Sequence, residues 1–227
     1  MEFGAIILCR LDSTRLPGKT LMEAGGKPLL WHVISRCRQV SVLRQSVVVA
    51  TSDRSIDDPI AAYCRRQNLF CYRGRLDDVA HRALSCARAC EFDYFFRVNA
   101  DSPFVDPGLL GAAAEAASGE SLDFVTNLKP RTYPYGVSAE LLRTTTFESA
   151  YRQFSQPGHF EHMTQYYYEN LDRFRWRNLL NPAPADPHTR LTIDTPEDFD
   201  RFRDVLAATA QHGRFAPFAD AMELKAA

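Results

Sequence analysis

The sequence predicts an α/β domain: a doubly wound, mostly parallel sheet with helices on both faces. Two observations carry this reading. Short β-branched or aromatic runs alternate with segments of helical period through the first two-thirds of the chain. Three of those helical segments open on a proline, Pro28, Pro59 and Pro107, whose fixed φ and missing N–H suit a first helical position. Alternation of this kind implies right-handed crossovers between parallel strands.

The expected strands are AIIL (5–8), SVVVA (46–50), FCYR (70–73), YFFRV (94–98) and FVTN (124–127). Helical period covers 28–37, 59–67, 79–89 and 107–117 between them. After Asn127 the rhythm breaks. LKPRTYPYG, with two prolines and a glycine, reads as a loop. VSAELL reads as a short strand, TTTFESAYRQF and HFEHMTQYYYEN as helices, and FRWRNLL as a strand. A Pro-rich loop, NPAPADPH, leads to a strand-like RLTI and the helical PEDFDRFRDVLAATA. The expectation is one domain over 1–227, with 128–190 an insertion over the sheet that serves substrate binding and dimerisation.

The composition narrows the function. With 227 residues, 45% of them apolar and 24% charged, the chain has room for one well-filled core. A formal net charge of -1 gives no global attraction to nucleic acid or to an anionic membrane, so any anion site is local. No apolar run approaches the roughly 20 residues that span a bilayer. The six cysteines, Cys9, Cys37, Cys64, Cys71, Cys86 and Cys90, are irregularly spaced and include no C-x-x-C. Together these features predict a reduced, cytoplasmic protein.

The most informative stretch is CRLDSTRLPGKTL, from Cys9 to Leu21, directly after the first strand. Gly18-Lys19-Thr20 matches the end of a Walker A phosphate loop, but the rest does not. Ser13 stands where the first glycine belongs, Pro17 lacks an N–H where amide donors are needed, and Gly25-Gly26 would interrupt a helix after Lys19. What remains is a loop with four cations, Arg10, Arg15, Lys19 and Lys27, against Asp12 and Glu23. Arginine forks and a mobile lysine charge suit a nucleoside triphosphate. The loop also leaves the carboxyl end of a strand, where open α/β sheets place ligands.

Written out as C-R-L-D-S-T-R-L-P-G-K-T-L…G-G-K-P-L-L, this segment resembles the signature of the cytidylyltransferases that activate acidic sugars. These are the CMP-Kdo and CMP-sialic acid synthetases, and the likeness is strongest to the SpsF-like, spore-coat polysaccharide type. Cys9 stands where that family usually has alanine. The resemblance continues in YRGRLDDVAHRALSCA, FFRVNADSPFVDP, RTYPYGVSAELL, EHMTQYYYEN and RLTIDTPEDFDRF. It implies a Rossmann-like fold of the nucleotidyltransferase and GT-A type. It also implies transfer of CMP from CTP to a sugar, an acidic one in this family, with release of pyrophosphate for surface polysaccharide synthesis. The implied cofactor is Mg²⁺ and the implied assembly a homodimer. A GT-A-like glycosyltransferase is the alternative. A catalytically silent nucleotide-binding subunit is another, although Lys19 and Asp101 are both retained.

The resemblance assigns Arg10, Arg15 and Lys19 to the triphosphate and to the departing pyrophosphate. Leu8, Cys9 and Ser13, with Arg73, Asp78 and Arg82, fall in the segments that contact the nucleotide. Asp78 is equally placed to cap the helix beginning at Val79. Asp101 and Asp194 each follow an apolar run and are the implied metal ligands; Asp194 could instead serve a helix N-terminus. Arg131 is suited to an acceptor carboxylate, and Tyr133, Glu140, Glu161 and His162 to acceptor hydroxyls. His162 is also the one plausible general base in that region, although a histidine among aromatics is more often packed.

Overall fold

The computed structural model describes residues 1–183, 186 and 189–210. Positions 184, 185, 187 and 188 of the expected Pro-rich loop, and the tail from 211, lie outside the described residues. A seven-stranded sheet runs through the molecule. Its strands are β1 (Phe3–Leu8), β4 (Val47–Ser52), β5 (Cys71–Gly74), β6 (Tyr94–Asn99), β7 (Phe124–Thr126), β8 (Leu141–Arg143) and β9 (Trp176–Asn178). Their order is β5-β4-β1-β6-β8-β7-β9, and β8 alone runs antiparallel to its neighbours. A separate two-stranded hairpin, β2 (Glu23–Ala24) and β3 (Lys27–Pro28), turns through Gly25-Gly26.

The central strands are apolar without alternation because both faces are covered. Every residue of β1 and of β4 is buried. One face packs against α1 (Leu29–Cys37), α2 (Asp58–Arg66), α4 (Pro107–Glu120) and α8 (Pro196–Ala210) through Ile7, Val49, Phe96 and Val98. The other meets α3 (Val79–Ala89), α5 (Thr144–Tyr151) and α7 (Gln165–Glu169) through Ile6, Val48 and Phe95. No helix among the described residues is long and apolar enough to cross a membrane.

Four expectations are corrected. Pro28 is not the first residue of α1 but its extended N-cap, tied up in the β2–β3 hairpin. RLTI is not a strand of the sheet: its Arg190 makes an isolated bridge to Tyr135, and Ile193 N donates to Asp101 O at 2.8 Å. HFEHMTQYYYEN is not one helix. It divides into α6 (Pro157–Glu161) and α7, separated by a break at His162–Thr164. Finally, the 128–190 segment does not simply lie over the sheet, because it supplies β8, wedged between β6 and β7, and the edge strand β9.

The strand order reverses between β1 and β6: from β1 the chain winds outward through β4 and β5, then returns to place β6 on the other side. Open α/β sheets bind ligands at the carboxyl ends of strands flanking such a reversal. The loops leaving β1 and β6 therefore meet where a ligand site is expected.

Candidate active site

The loop after β1 is shaped by its own backbone and by Asp57. Leu11 N donates to Asp57 Oδ1 at 2.7 Å, and the Ser52 hydroxyl donates to the other oxygen of that buried carboxylate. Gly18 has φ 75°, a left-handed conformation that costs a residue with a Cβ about 1–2 kcal/mol. There its N–H reaches Leu11 O at 2.8 Å, closing the loop. Lys19 opens a single 3₁₀ turn (Lys19–Leu21), and the Thr20 hydroxyl donates to Arg10 O at 3.1 Å. The long helix that follows a Walker lysine is replaced by this turn and the β2–β3 hairpin. His32 holds the hairpin with its ring nitrogen 2.9 Å from Ala24 O.

Lys19 is 8% exposed, and its ammonium sits inside a ring of oxygens. It donates to Asp101 Oδ2 at 2.9 Å, to Ile193 O at 2.7 Å and to Asp194 Oδ1 at 3.1 Å. Arg15 Nη2 reaches the same Asp194 oxygen at 2.9 Å. Thr192 Oγ1 donates to Asp194 Oδ2 at 3.1 Å, and Arg190 Nη2 lies 3.7 Å from it. Partial burial pushes the Asp194 carboxyl upward, but Lys19, Thr192 and Arg15 outweigh it and hold the group below the usual carboxylate value. The capping role weighed for Asp194 belongs to its neighbours. Asp198 Oδ2 accepts from Thr195 N and Asp194 N, each at 3.0 Å, and Asp198 N donates to Thr195 Oγ1 at 3.3 Å, a reciprocal cap on α8.

Of the other nucleotide-side residues, Leu8 and Cys9 are buried at the strand end, with their backbone groups bonded to β4 and to Ala100. Burial pushes the Cys9 thiol well up, so it behaves as an inert packed group. All six cysteines carry free thiols. Ser13 Oγ accepts from Leu16 N at 3.4 Å within the loop. Arg10 is exposed and pairs with Asp12 at 3.4 Å. Arg73 fastens β5 to the neighbouring loop through Ser52 O at 3.1 Å and Arg54 O at 2.8 Å. Asp78 caps α3, accepting from His81 N at 2.8 Å, while its other oxygen accepts from the Tyr151 hydroxyl at 2.8 Å. Both of its oxygens are thus engaged away from the β1 loop. Arg82 is 3% exposed; Nη1 donates to Arg75 O at 2.7 Å, whereas Nε has no partner among the described residues. Burial pushes its guanidinium down, against the pull of Cys9 and Asp57.

A cavity of about 440 Å³ is lined by Arg97, Leu128, Glu140, His162, Thr164, Gln165, Tyr168 and Glu169. Glu140 is 1% exposed, and both its oxygens are occupied, by Arg97 Nη1 at 2.9 Å and by the Tyr168 hydroxyl at 2.8 Å. It therefore presents Arg97 and Tyr168 to the cavity rather than reading a ligand itself. Arg97 Nε has no partner among the described residues. His162 lies exposed on the wall of this cavity, whereas Glu161 ends α6 away from its lining and Tyr133 packs on the apolar core. Arg131 has a buried Nη1 with no partner among the described residues, and burial lowers its pKa. The guanidinium carbons of Arg131 and Arg190 lie 5.0 Å and 4.1 Å from the centre of the Tyr135 ring. Gly136, at φ 101°, holds this loop against the Asp194 segment: a Cβ there would meet Leu191 C and Thr192 N at 2.9 Å.

These cations beside carboxylates, at a strand-order reversal, suit transfer of a phosphate-bearing group. A family model described as cytidylyltransferase matches residues 4–215. The chain belongs to the cytidylyltransferase family. Its relatives include the spore coat polysaccharide biosynthesis protein SpsF of Bacillus subtilis, 32% identical over 203 residues, 87% of this chain and 83% of that protein. The 3-deoxy-manno-octulosonate cytidylyltransferase of Mesorhizobium japonicum is 26% identical over 245 residues, 89% of this chain and 98% of that protein. A solved cytidylyltransferase from Leptospira borgpetersenii superposes with a TM-score of 0.89 at 26% identity, covering 99% of this chain and 93% of that one.

Two residues of this cytidylyltransferase escape a reading of the sequence. Arg97 sits inside an aromatic strand, where its one signal is a charge in an otherwise apolar run. Tyr168 ends a triplet of tyrosines whose first two, Tyr166 and Tyr167, are core.

Proposed function

We propose that this cytidylyltransferase transfers CMP from CTP to a hydroxyl of an acidic sugar for surface polysaccharide synthesis. The acceptor oxygen forms a bond to the α-phosphorus, the bond to the β-phosphate bridging oxygen breaks, pyrophosphate leaves, and the hydroxyl proton ends in solvent. The observation that carries this reading is the Lys19–Asp101–Asp194 cluster, with Arg15 at its rim, in the loops at the strand-order reversal; the cavity lined by Arg97, His162 and Tyr168 is of monosaccharide size. The names of the relatives support the nucleotide and the acidic class of acceptor.

Phosphoryl transfer needs positioning and charge more than covalent chemistry. Arg10, Arg15 and Lys19 are proposed to hold the triphosphate, and Arg73 and Arg82 the nucleoside side. Arg131 and Arg190, stacked on Tyr135, face the acceptor's carboxylate, while Arg97, Tyr168 and His162 meet its hydroxyls. Mg²⁺ fits the donor set: Asp101 and Asp194 converge on one cation, and this ion favours one or two carboxylates with phosphate oxygens and water. When bound, it supplies positive charge to the reacting phosphate. A cytoplasmic homodimer, with 128–190 contributing to the acceptor site and the contact, completes the proposal; light scattering at micromolar concentration tests the dimer.

The direct experiment is pyrophosphate release from CTP and Mg²⁺ with a panel of acidic sugars, including 3-deoxy-manno-octulosonate and N-acetylneuraminate. Release with CTP and an acidic acceptor supports the reading. Release only with neutral acceptors, or only with another nucleotide, overturns it.

A further inference from the structure

The Lys19 ammonium and a divalent cation want the same place. Nζ lies within 3.1 Å of oxygens from both Asp101 and Asp194 and takes a third, Ile193 O, at 2.7 Å. Two cations cannot share that gap, because charges a few ångströms apart inside a protein repel by several kcal/mol. We infer that Lys19 and the metal are alternative occupants of one carboxylate pair, and that nucleotide binding switches the occupancy. This rests on the reading of Asp101 and Asp194 as metal ligands and goes beyond it.

The two carboxylates come from separate loops, 93 positions apart in the chain, and Lys19 links both, with Ile193 N adding a bond to Asp101 O at 2.8 Å. Lys19 thus occupies the point between the two carboxylates that the metal would take. Asp194 is also held by Arg15 at 2.9 Å. Both cations belong to the basic loop, so a triphosphate arriving on that loop offers them phosphate oxygens in exchange for the carboxylates. Lys19 has a flexible stem and can follow the phosphate. Nucleotide and metal therefore bind with positive coupling, each raising the affinity for the other by the same factor.

The test is calorimetric and paramagnetic titration with Mn²⁺ as the probe, without nucleotide, on the full-length protein. Wild type is expected to take up no Mn²⁺ below millimolar concentration. Lys19→Met is expected to bind Mn²⁺ at least tenfold more tightly than wild type, and Lys19→Met/Asp101→Asn to lose that site. A lysine with a merely structural role would give the opposite result, a looser site on removal. Lys19→Gln, which keeps a donor for Ile193 O, serves if the methionine variant is unstable, with folding checked by circular dichroism. Equal Mn²⁺ affinity in wild type and both Lys19 variants overturns the inference while leaving the metal reading intact. So does tight binding to wild type alone that Asp101→Asn removes. Absence of Mn²⁺ from every form removes the metal reading and the inference together.

Discussion

Arg97 and Glu140 meet at 2.9 Å, one from the middle of the sheet and the other just before β8, and the glutamate is almost wholly buried. Breaking such a pair leaves a charge without its partner. Arg97→Met is expected to cost about 2–4 kcal/mol in urea unfolding. It should also raise the KM for the acceptor while leaving that for CTP unchanged. An unchanged stability would show that the hydrogen bond from the Tyr168 hydroxyl is enough to hold the Glu140 carboxylate.

Asp101→Asn keeps an oxygen for Lys19 but removes the charge. The fold should survive, and pyrophosphate release should fall by on the order of 10²-fold or more, the scale for losing one preorganised electrostatic group. Initial rates with CTP check this; wild-type turnover would take Asp101 out of the site.

Gly136→Ala should destabilise the protein by more than the roughly 1–2 kcal/mol of a left-handed residue alone, because the new Cβ meets backbone of Leu191 and Thr192. Displacing that segment also moves Asp194, so activity should fall with stability. A thermal melt and a rate measurement on the same sample are sufficient. Full activity with lowered stability would separate the loop clamp from the site.

The Asp194 carboxyl lies below its ordinary value of 3.8 in the folded protein. A depressed carboxyl contributes stability that is present above the unfolded value and lost as pH falls through the folded one. The urea midpoint of wild type should therefore drop as pH falls below the ordinary carboxyl value, with Asp12, held down by its hydrogen bond from Arg54, contributing in the same direction. Asp194→Asn should show a shallower drop. Identical slopes would mean that the Lys19 and Arg15 contacts do not stabilise the ionised form.

The sheet was legible because its parallel strands are buried on both faces, so β1 and the Val47–Ala50 part of β4 read as unbroken apolar runs. The basic loop was legible because Gly18 and Lys19 occupy a specific pattern after a strand. RLTI misled because apolarity reports burial, not ladder pairing: Leu191 and Ile193 are core, yet their backbone serves Tyr135 and Asp101. The break at His162–Thr164 was hidden because the residues on both sides share helical period. Glu140 was read as a contact with the acceptor, but its partner Arg97 lies 43 positions away in the chain, and such pairing is a property of the sheet rather than of either segment.

The central claim is that the loop around Lys19 receives CTP. The most direct measurement is a thermal melt of wild type and Lys19→Ala with CTP, UTP, GTP and ATP, each with Mg²⁺. A ligand at 100 times its Kd stabilises the native state by about 2.7 kcal/mol, a shift of several degrees for a chain of this size. The account predicts a shift with CTP well above the other three, reduced or abolished in Lys19→Ala. Equal shifts with all four nucleotides, or a CTP shift that survives the loss of Lys19, would contradict it.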